Sequence, residues 1–225
     1  MNFYRNTVSD LLWDTLLKLM SSEELSSFRL VGGTSLSIQL GHRKSVDIDM
    51  FTDSEYGTID FDIIDKLMLN SFKYAEMDNN NIHSIGKTYY VGDNNEEKIK
   101  VDLFYTDPFI FPILNFEGIR LAKMEEIIAM KLEVIGHAGR KKDFWDLHEL
   151  LDYFTLPQML SFYTKRYPYS YTENEIIEKL VDFSEADSDF DPICLKNKYW
   201  ELIKIDIEET LTKTFSSSTQ HTPHN

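Results

Sequence analysis

The chain has 225 residues, a hydrophobic content of 42% and a formal net charge of -15 at pH 7. This composition can build a hydrophobic core, which argues against a mostly disordered chain, and its negative charge argues against a broad electrostatic surface for nucleic acid. Because the sequence has no long uncharged apolar run and no basic, apolar secretory start, we expect a cytoplasmic protein without a membrane contact.

The first half of the chain alternates between helix and strand patterns. A helix is predicted over residues 8–20, and a strand over residues 28–31 that ends at Gly32-Gly33 and leads into a new helix. Residues 46–51 alternate apolar and acidic side chains, which places Asp47 and Asp49 on one face of a strand. A helix over residues 60–69 and two strands, over residues 84–91 and 98–105 with a glycine-containing turn between them, complete this half.

The second half has helical periodicity throughout. Helices are predicted over residues 124–137, 142–154, 158–167, 173–183 and 199–214, and residues 216–225 are predicted to be a disordered tail. We therefore expect an α/β unit over residues 1–115 and a helical unit over residues 116–215.

Paired acids are the first candidate functional residues. Two carboxylates two positions apart on a strand point the same way and can hold Mg²⁺ or Mn²⁺ together with the phosphates of a nucleotide. The alternative is a half-buried strand with two solvated acids. Asp102, on the polar face of the last strand, favours the metal site, because a third carboxylate could bind the metal or act as a general base on an attacking hydroxyl.

A glycine turn precedes the acids. Gly32, Gly33, Thr34 and Ser35 stand where a strand gives way to a helix, and glycines at such a turn let backbone amides approach a phosphate at the helix N-terminus. A Gly-Gly turn alone is common, but its place upstream of Asp-x-Asp makes the combination more specific.

Three charged residues occupy unusual positions in the predicted helices. Lys131 lies at the centre of an apolar stripe, so its ammonium must reach water past the stripe or meet an anion such as a triphosphate. Asp143 lies in the apolar face of the next helix, where a pair with Arg140, one turn earlier, is the alternative to a functional role. Asp146, at the margin of that face, is either a surface acid or a residue that supports the site.

These motifs resemble a known family. The segments LVGGTSLSIQLGHRKSVDIDMF, KVDLFY and MEEIIAMKLEVIGHAGRKKDFWDLHELL are similar to the AbiEii/AbiGii-type nucleotidyltransferase toxins of the polymerase-beta-like superfamily. The resemblance implies an α+β fold, with a nucleotidyltransferase-type mixed sheet and flanking helices followed by a C-terminal helical bundle that completes the active-site cleft. It also implies functional roles for Gly33, Ser35, Arg43, Asp47, Asp49, Asp102, Lys131, Arg140, Asp143 and Asp146.

The implied activity is transfer of a nucleoside monophosphate from a nucleoside triphosphate (NTP) to an acceptor hydroxyl. By resemblance, the acceptor is RNA, including tRNA, and the protein is a toxin with a cognate antitoxin. A small-molecule or protein acceptor, a sugar-nucleotide glycosyltransferase and a non-catalytic nucleotide-binding regulator are the alternatives.

Overall fold

The computed structural model describes residues 3–78 and 85–216. The chain divides into two compact units, Met1–Met124 and Glu125–Asn225. Ser84, the first residue of a predicted strand, and residues 217–225 of the predicted disordered tail lie outside the described residues. In the described part of the chain, no helix is both long and apolar enough to cross a bilayer.

The first unit is built on a seven-stranded mixed sheet. Its strand order is β3-β4-β5-β2-β1-β7-β6, with β2 parallel to β5 and β1 parallel to β7. The strands are β1 (Arg29–Leu30), β2 (Asp47–Thr52), β3 (Tyr74–Met77), β4 (Gly86–Gly92), β5 (Lys98–Tyr105), β6 (Leu114–Phe116) and β7 (Ile119–Leu121). The helices of this unit are α1 (Asp10–Ser21), α2 (Gly32–Leu40) and α3 (Phe61–Ser71).

One face of the sheet forms the core of this unit. Alternate residues of β2 and β5 are fully or almost fully buried, including Ile48, Met50, Val101 and Leu103. The apolar sides of α1 and α3 belong to the same buried cluster. The other residues of β2 and β5 face the opposite side of the sheet and are only partly buried, so that side can present polar groups to a substrate.

The second unit is helical. It contains α4 (Met124–Ala138), whose first residue ends the first unit, α5 (Lys141–Leu150), α6 (Leu156–Arg166), α7 (Glu173–Lys179), α8 (Ser184–Asp187) and α9 (Trp200–Ser216). Side chains of α4, α5 and α6 fill its interior, including Ile128, Trp145 and Tyr163. The predicted α+β fold, a mixed sheet with flanking helices followed by a helical bundle, is confirmed, whereas the predicted boundary at residue 115 stays a prediction.

Candidate active site

Three acids share one face of the sheet at its centre. Asp47 and Asp49 alternate along β2 with the buried residues Ile48 and Met50, as the sequence predicts. The parallel pairing of β2 with β5 places Asp49 directly opposite Asp102. Facing positions on paired strands put side chains close together on the same side of the sheet. The sheet therefore gathers carboxylates that stand far apart in the sequence.

Asp102 is held by two neighbours on its own sheet face. The Thr88 hydroxyl on β4 donates a hydrogen bond of 2.6 Å to Asp102 Oδ1, and the Lys100 ammonium contacts Asp102 Oδ2. Burial alone would lower the pKa of Lys100, but the hydrogen bond and charge of Asp102, with the charges of Asp49 and Asp47, raise that pKa above its ordinary value. Lys100 therefore stays a cation among the acids.

The glycine turn lies against the acids. Gly32 has a φ of +64°, and a Cβ atom built on it would lie 2.6 Å from Asp49 Oδ2. The backbone amide of Val31 donates a 2.8 Å hydrogen bond to the Asp49 carbonyl, which fixes the turn to β2. Val31 caps α2 without a side-chain hydrogen bond. The first amides of an α-helix have no partner within the helix, so this end of α2 suits an anion.

Thr34 and Ser35 are buried and hold the turn in place. The Thr34 hydroxyl contacts the backbone carbonyl of Asp47 and lies 2.7 Å from the Ser45 hydroxyl. Ser35 is fully buried, and its hydroxyl accepts a 3.1 Å hydrogen bond from the Gln39 amide. Both side chains thus fix the start of α2.

Arg43 lies beside the second glycine. Its guanidinium occupies the space in which a Cβ atom on Gly33 would lie, and its Nη1 donates a 3.0 Å hydrogen bond to the Lys44 carbonyl. The residue is almost completely buried, with 4% of its surface exposed. A side chain at position 33 would therefore have to displace this cation.

The acids suit a divalent cation bound with a nucleotide. Within residues 3–78 and 85–216, no three acidic, histidine or cysteine side chains form a ready-made metal cage. Asp102 is turned to Thr88 and Lys100, which leaves Asp47 and Asp49 as the pair best placed to bind metal. Mg²⁺ commonly takes one or two carboxylates and completes its shell with water and phosphate oxygens, so this pair fits that ion.

Lys131, in the second unit, is buried between two carboxylates. Its ammonium lies 2.6 Å from Asp143 Oδ1 and 2.7 Å from Asp146 Oδ2. The lysine side chain is 8% exposed, and Asp146 is completely buried. Lys131 therefore meets anionic side chains of its own unit, and its predicted contact with a triphosphate stays a prediction. The interpretation of Asp146 as a surface acid is wrong, because α5 is buried on more sides than a helical wheel assumes.

Arg140 does not form the expected side-chain pair with Asp143. Its backbone amide donates a 3.0 Å hydrogen bond to Asp143 Oδ2, which caps the start of α5. Its guanidinium is mostly exposed and pairs with Asp189 at 3.3 Å, while Lys141 pairs with Asp191 at 2.9 Å. The basic run at residues 140–142 is thus neutralised in part by the acidic stretch over residues 173–191.

The predicted site residues fall into two sets, one in each unit. Gly32, Gly33, Thr34, Arg43, Asp47, Asp49 and Asp102 assemble around the centre of the sheet, and Lys131, Asp143 and Asp146 form a buried charged triad in the helical unit. Lys100 and Thr88, the two neighbours of Asp102, were not predicted as site residues. Lys100 could have been found, because it stands two positions before Asp102 and the strand alternation puts both on one face.

The chain is similar in sequence to known proteins. A family model described as "Nucleotidyl transferase AbiEii toxin, Type IV TA system" matches residues 14–218. An uncharacterized protein of Aquifex aeolicus is 30% identical over 206 residues, which is 85% of this chain and 89% of that protein.

Two solved structures have a similar fold. The nucleotidyltransferase toxin MenT4 of Mycobacterium tuberculosis has a TM-score of 0.59 and 17% identity, over 89% of this chain and 82% of MenT4. JHP933 of Helicobacter pylori has a TM-score of 0.55 and 16% identity, over 92% of this chain and 91% of JHP933. At such low identity these likenesses show the fold alone.

Proposed function

Since the chain belongs to the AbiEii family of nucleotidyltransferase toxins and is itself a nucleotidyltransferase, we propose that it transfers a nucleoside monophosphate from an NTP to an acceptor hydroxyl. The observation that carries this proposal is the opposition of Asp49 and Asp102 on β2 and β5, with the N-terminus of α2 beside them. Phosphoryl transfer depends mainly on positioning and charge, which is what these groups supply.

Each group of the sheet has a role in this proposal. The amides of Gly32, Gly33 and Thr34 bind the β- and γ-phosphates, and the Arg43 guanidinium adds positive charge beside them. Asp47 and Asp49 hold Mg²⁺ or Mn²⁺, which supplies charge stabilisation at the phosphates. The buried Ser35 hydroxyl positions α2 through Gln39.

Asp102 acts on the acceptor. The acceptor oxygen forms a bond to the α-phosphorus while the bond from that phosphorus to the α,β-bridging oxygen breaks and pyrophosphate leaves. Asp102 takes the proton from the acceptor hydroxyl, and Thr88 and Lys100 hold its carboxylate in place. From the family resemblance we also propose that Lys131 binds nucleotide phosphate, with Asp143 and Asp146 orienting its ammonium and Arg140 contributing charge.

We propose RNA, including tRNA, as the acceptor and a cognate antitoxin as the partner, acting in the cytoplasm. The family description, which names a toxin–antitoxin system, supports this proposal. Membership in a nucleotidyltransferase family speaks against the glycosyltransferase alternative. If the acceptor is a small molecule or a protein, the labelled nucleotide would appear on that molecule instead of on RNA. A non-catalytic regulator would bind NTP without forming pyrophosphate.

The test is transfer of label from each of the four α-labelled NTPs, with Mg²⁺ and total cellular RNA. We expect labelled RNA and released pyrophosphate with the wild-type protein and neither after chelation of divalent cations. Asp49→Asn, which keeps the side-chain size, is expected to lower the rate by about 10²-fold or more. The matched control is Asp14→Asn, an exposed carboxylate on α1. Equal transfer by the Asp49→Asn and Asp14→Asn variants would refute the proposed site.

A further inference from the structure

The sheet face that carries the acids continues past Asp102 onto β4 and β3. Thr88 pairs with Asp102, Tyr90 pairs with Lys100, and Glu76 on β3 pairs with Tyr90. Residues that pair across adjacent strands share a sheet face. Tyr90 and its neighbours therefore lie on the same side as the acids, one or two strands further along the sheet.

Two tyrosines and one lysine form a compact group on this part of the sheet. The Lys98 ammonium lies 5.0 Å from the centre of the Tyr90 ring and 5.4 Å from the centre of the Tyr74 ring. It also lies 2.7 Å from Asn95 Oδ1 and 3.4 Å from Glu76 Oε2. Both tyrosines are half-buried, and the Lys98 side chain is 27% exposed. We name Tyr74, Tyr90 and Lys98 the tyrosine strip.

The geometry of the proposed transfer reaction indicates that the acceptor lies over the tyrosine strip. This inference rests on the proposed function. A Cβ atom built on Gly32, which follows β1, would lie 2.6 Å from Asp49 Oδ2, so phosphates bound by the turn are expected on the β1 side of the acids. In an in-line displacement the attacking oxygen and the leaving group lie on opposite sides of the phosphorus. The acceptor hydroxyl must then come from the other side, over Asp102 on β5, and the rest of the acceptor must lie over β4 and β3.

We propose that the tyrosine strip is the acceptor-binding surface and that the terminal bases of a single-stranded nucleic acid stack on Tyr90. Aromatic rings bind bases through stacking that tolerates any sequence, and a nearby cation meets the backbone phosphate. The strip offers both groups on the sheet face that carries the acids. Local stacking with one lysine also agrees with a chain of net charge -15, which lacks a broad basic field.

The test measures binding of a fluorescein-labelled single-stranded oligoribonucleotide with a free 3′-hydroxyl, by fluorescence anisotropy without NTP. Tyr90→Ala is expected to raise the Kd about tenfold, whereas Tyr90→Phe, which keeps the ring, changes it less than about twofold. Lys98→Gln is expected to raise the Kd. It should also reduce the slope of log Kd against log salt concentration by about the amount that one phosphate contact contributes. The control is Tyr56→Ala, a tyrosine that is 63% exposed and packs against Tyr105.

Binding and catalysis separate the two proposals. Asp49→Asn is expected to bind the oligoribonucleotide as tightly as the wild-type protein while transferring nucleotide about 10²-fold or more slowly. Thermal denaturation shows whether Tyr90→Ala and Lys98→Gln are folded. If both folded variants bind the oligoribonucleotide like the wild-type protein, the tyrosine strip is not the acceptor surface. This holds even if nucleotide transfer still depends on Asp49. If Tyr56→Ala weakens binding as much as Tyr90→Ala, the proposal is also overturned. If Tyr90→Ala fails to fold, Tyr90→Phe and Lys98→Gln decide the question.

Discussion

The carboxylate of Asp49 occupies the space in which a side chain on Gly32 would begin. Gly32→Ala would place a methyl group 2.6 Å from Asp49 Oδ2 and would also strain a residue whose φ is +64°. We expect the variant to lose about 1–2 kcal/mol of folding free energy and to transfer nucleotide at least about tenfold more slowly, because the carboxylate is displaced.

Gly57 provides the matched control for that change. It has a φ of +84°, and an added Cβ atom would meet no other atom within 4 Å. Gly57→Ala therefore carries similar backbone strain without the clash, and it should lose similar stability in chemical denaturation while keeping its transfer rate. Equal loss of activity in both variants would show that strain alone, and not contact with Asp49, explains the effect.

The Thr34 hydroxyl ties α2 to the strand that carries Asp47 and Asp49, the pair proposed to bind metal, through the Asp47 carbonyl and Ser45. Thr34→Val keeps the shape of the side chain but removes this hydrogen bond to the Asp47 carbonyl. We expect a loss of about 1–2 kcal/mol in the free energy of unfolding and a weaker response to Mg²⁺ in the transfer assay. Thr34→Ser, which retains the hydroxyl, should restore most of the Mg²⁺ response, and the idea fails if it does not.

The Lys131 ammonium forms ion pairs with two buried carboxylates, those of Asp143 and Asp146. Lys131→Met removes the cation and leaves Asp143 and Asp146 facing each other in the interior of the helical unit. Uncompensated buried charge typically costs about 3–5 kcal/mol, so we expect a large fall in the denaturation midpoint. Lys213→Met is the comparison, because Lys213 and Glu209 form a 2.7 Å pair that is largely exposed, and its loss should leave the denaturation midpoint almost unchanged. Similar effects of the two changes would contradict the buried arrangement.

A pH dependence is expected from Glu149, which is completely buried and contacts Lys196 and, at 2.8 Å, Lys198. Burial alone would raise the pKa of Glu149, but the hydrogen bonds and charges of the two lysines hold it below its usual value of 4.5. A carboxyl whose pKa is lower in the folded state stabilises the fold above its unfolded pKa, and that stability is lost as the pH falls through the folded value.

Glu149→Gln should therefore cost about 2 kcal/mol at pH 7 and progressively less below pH 4.5, since the protonated wild-type side chain then resembles glutamine. Urea denaturation of both proteins at a series of pH values measures this difference. A penalty that stays constant down to the lowest pH would show that the lysines do not lower this pKa.

The central strands and the long helices could be predicted because their patterns are local. The alternation of Asp47 and Asp49 with apolar residues places both acids on one face, and the strand over residues 98–105 coincides with β5. The register that places Asp49 opposite Asp102 could not be predicted. Parallel pairing between two distant segments produces no recognisable pattern in the sequence of either segment.

The helical unit shows the same limit. The position of Lys131 in an apolar stripe predicted a buried cation, but its partners lie on the next helix, and spacing along one helix suggested Arg140 for Asp143 instead. The short strands β3, β6 and β7 were not predicted. With only three or four residues each, they carry too little periodicity to be distinguished from loops.

The parallel pairing of β2 with β5 also bears on how the protein is made. A ribosome-bound chain that stops before β5 carries Asp47 and Asp49 without the neighbouring strand and without Asp102. Every shorter translation product therefore lacks part of this acid cluster, which can form only after most of the first unit has been synthesised and has folded.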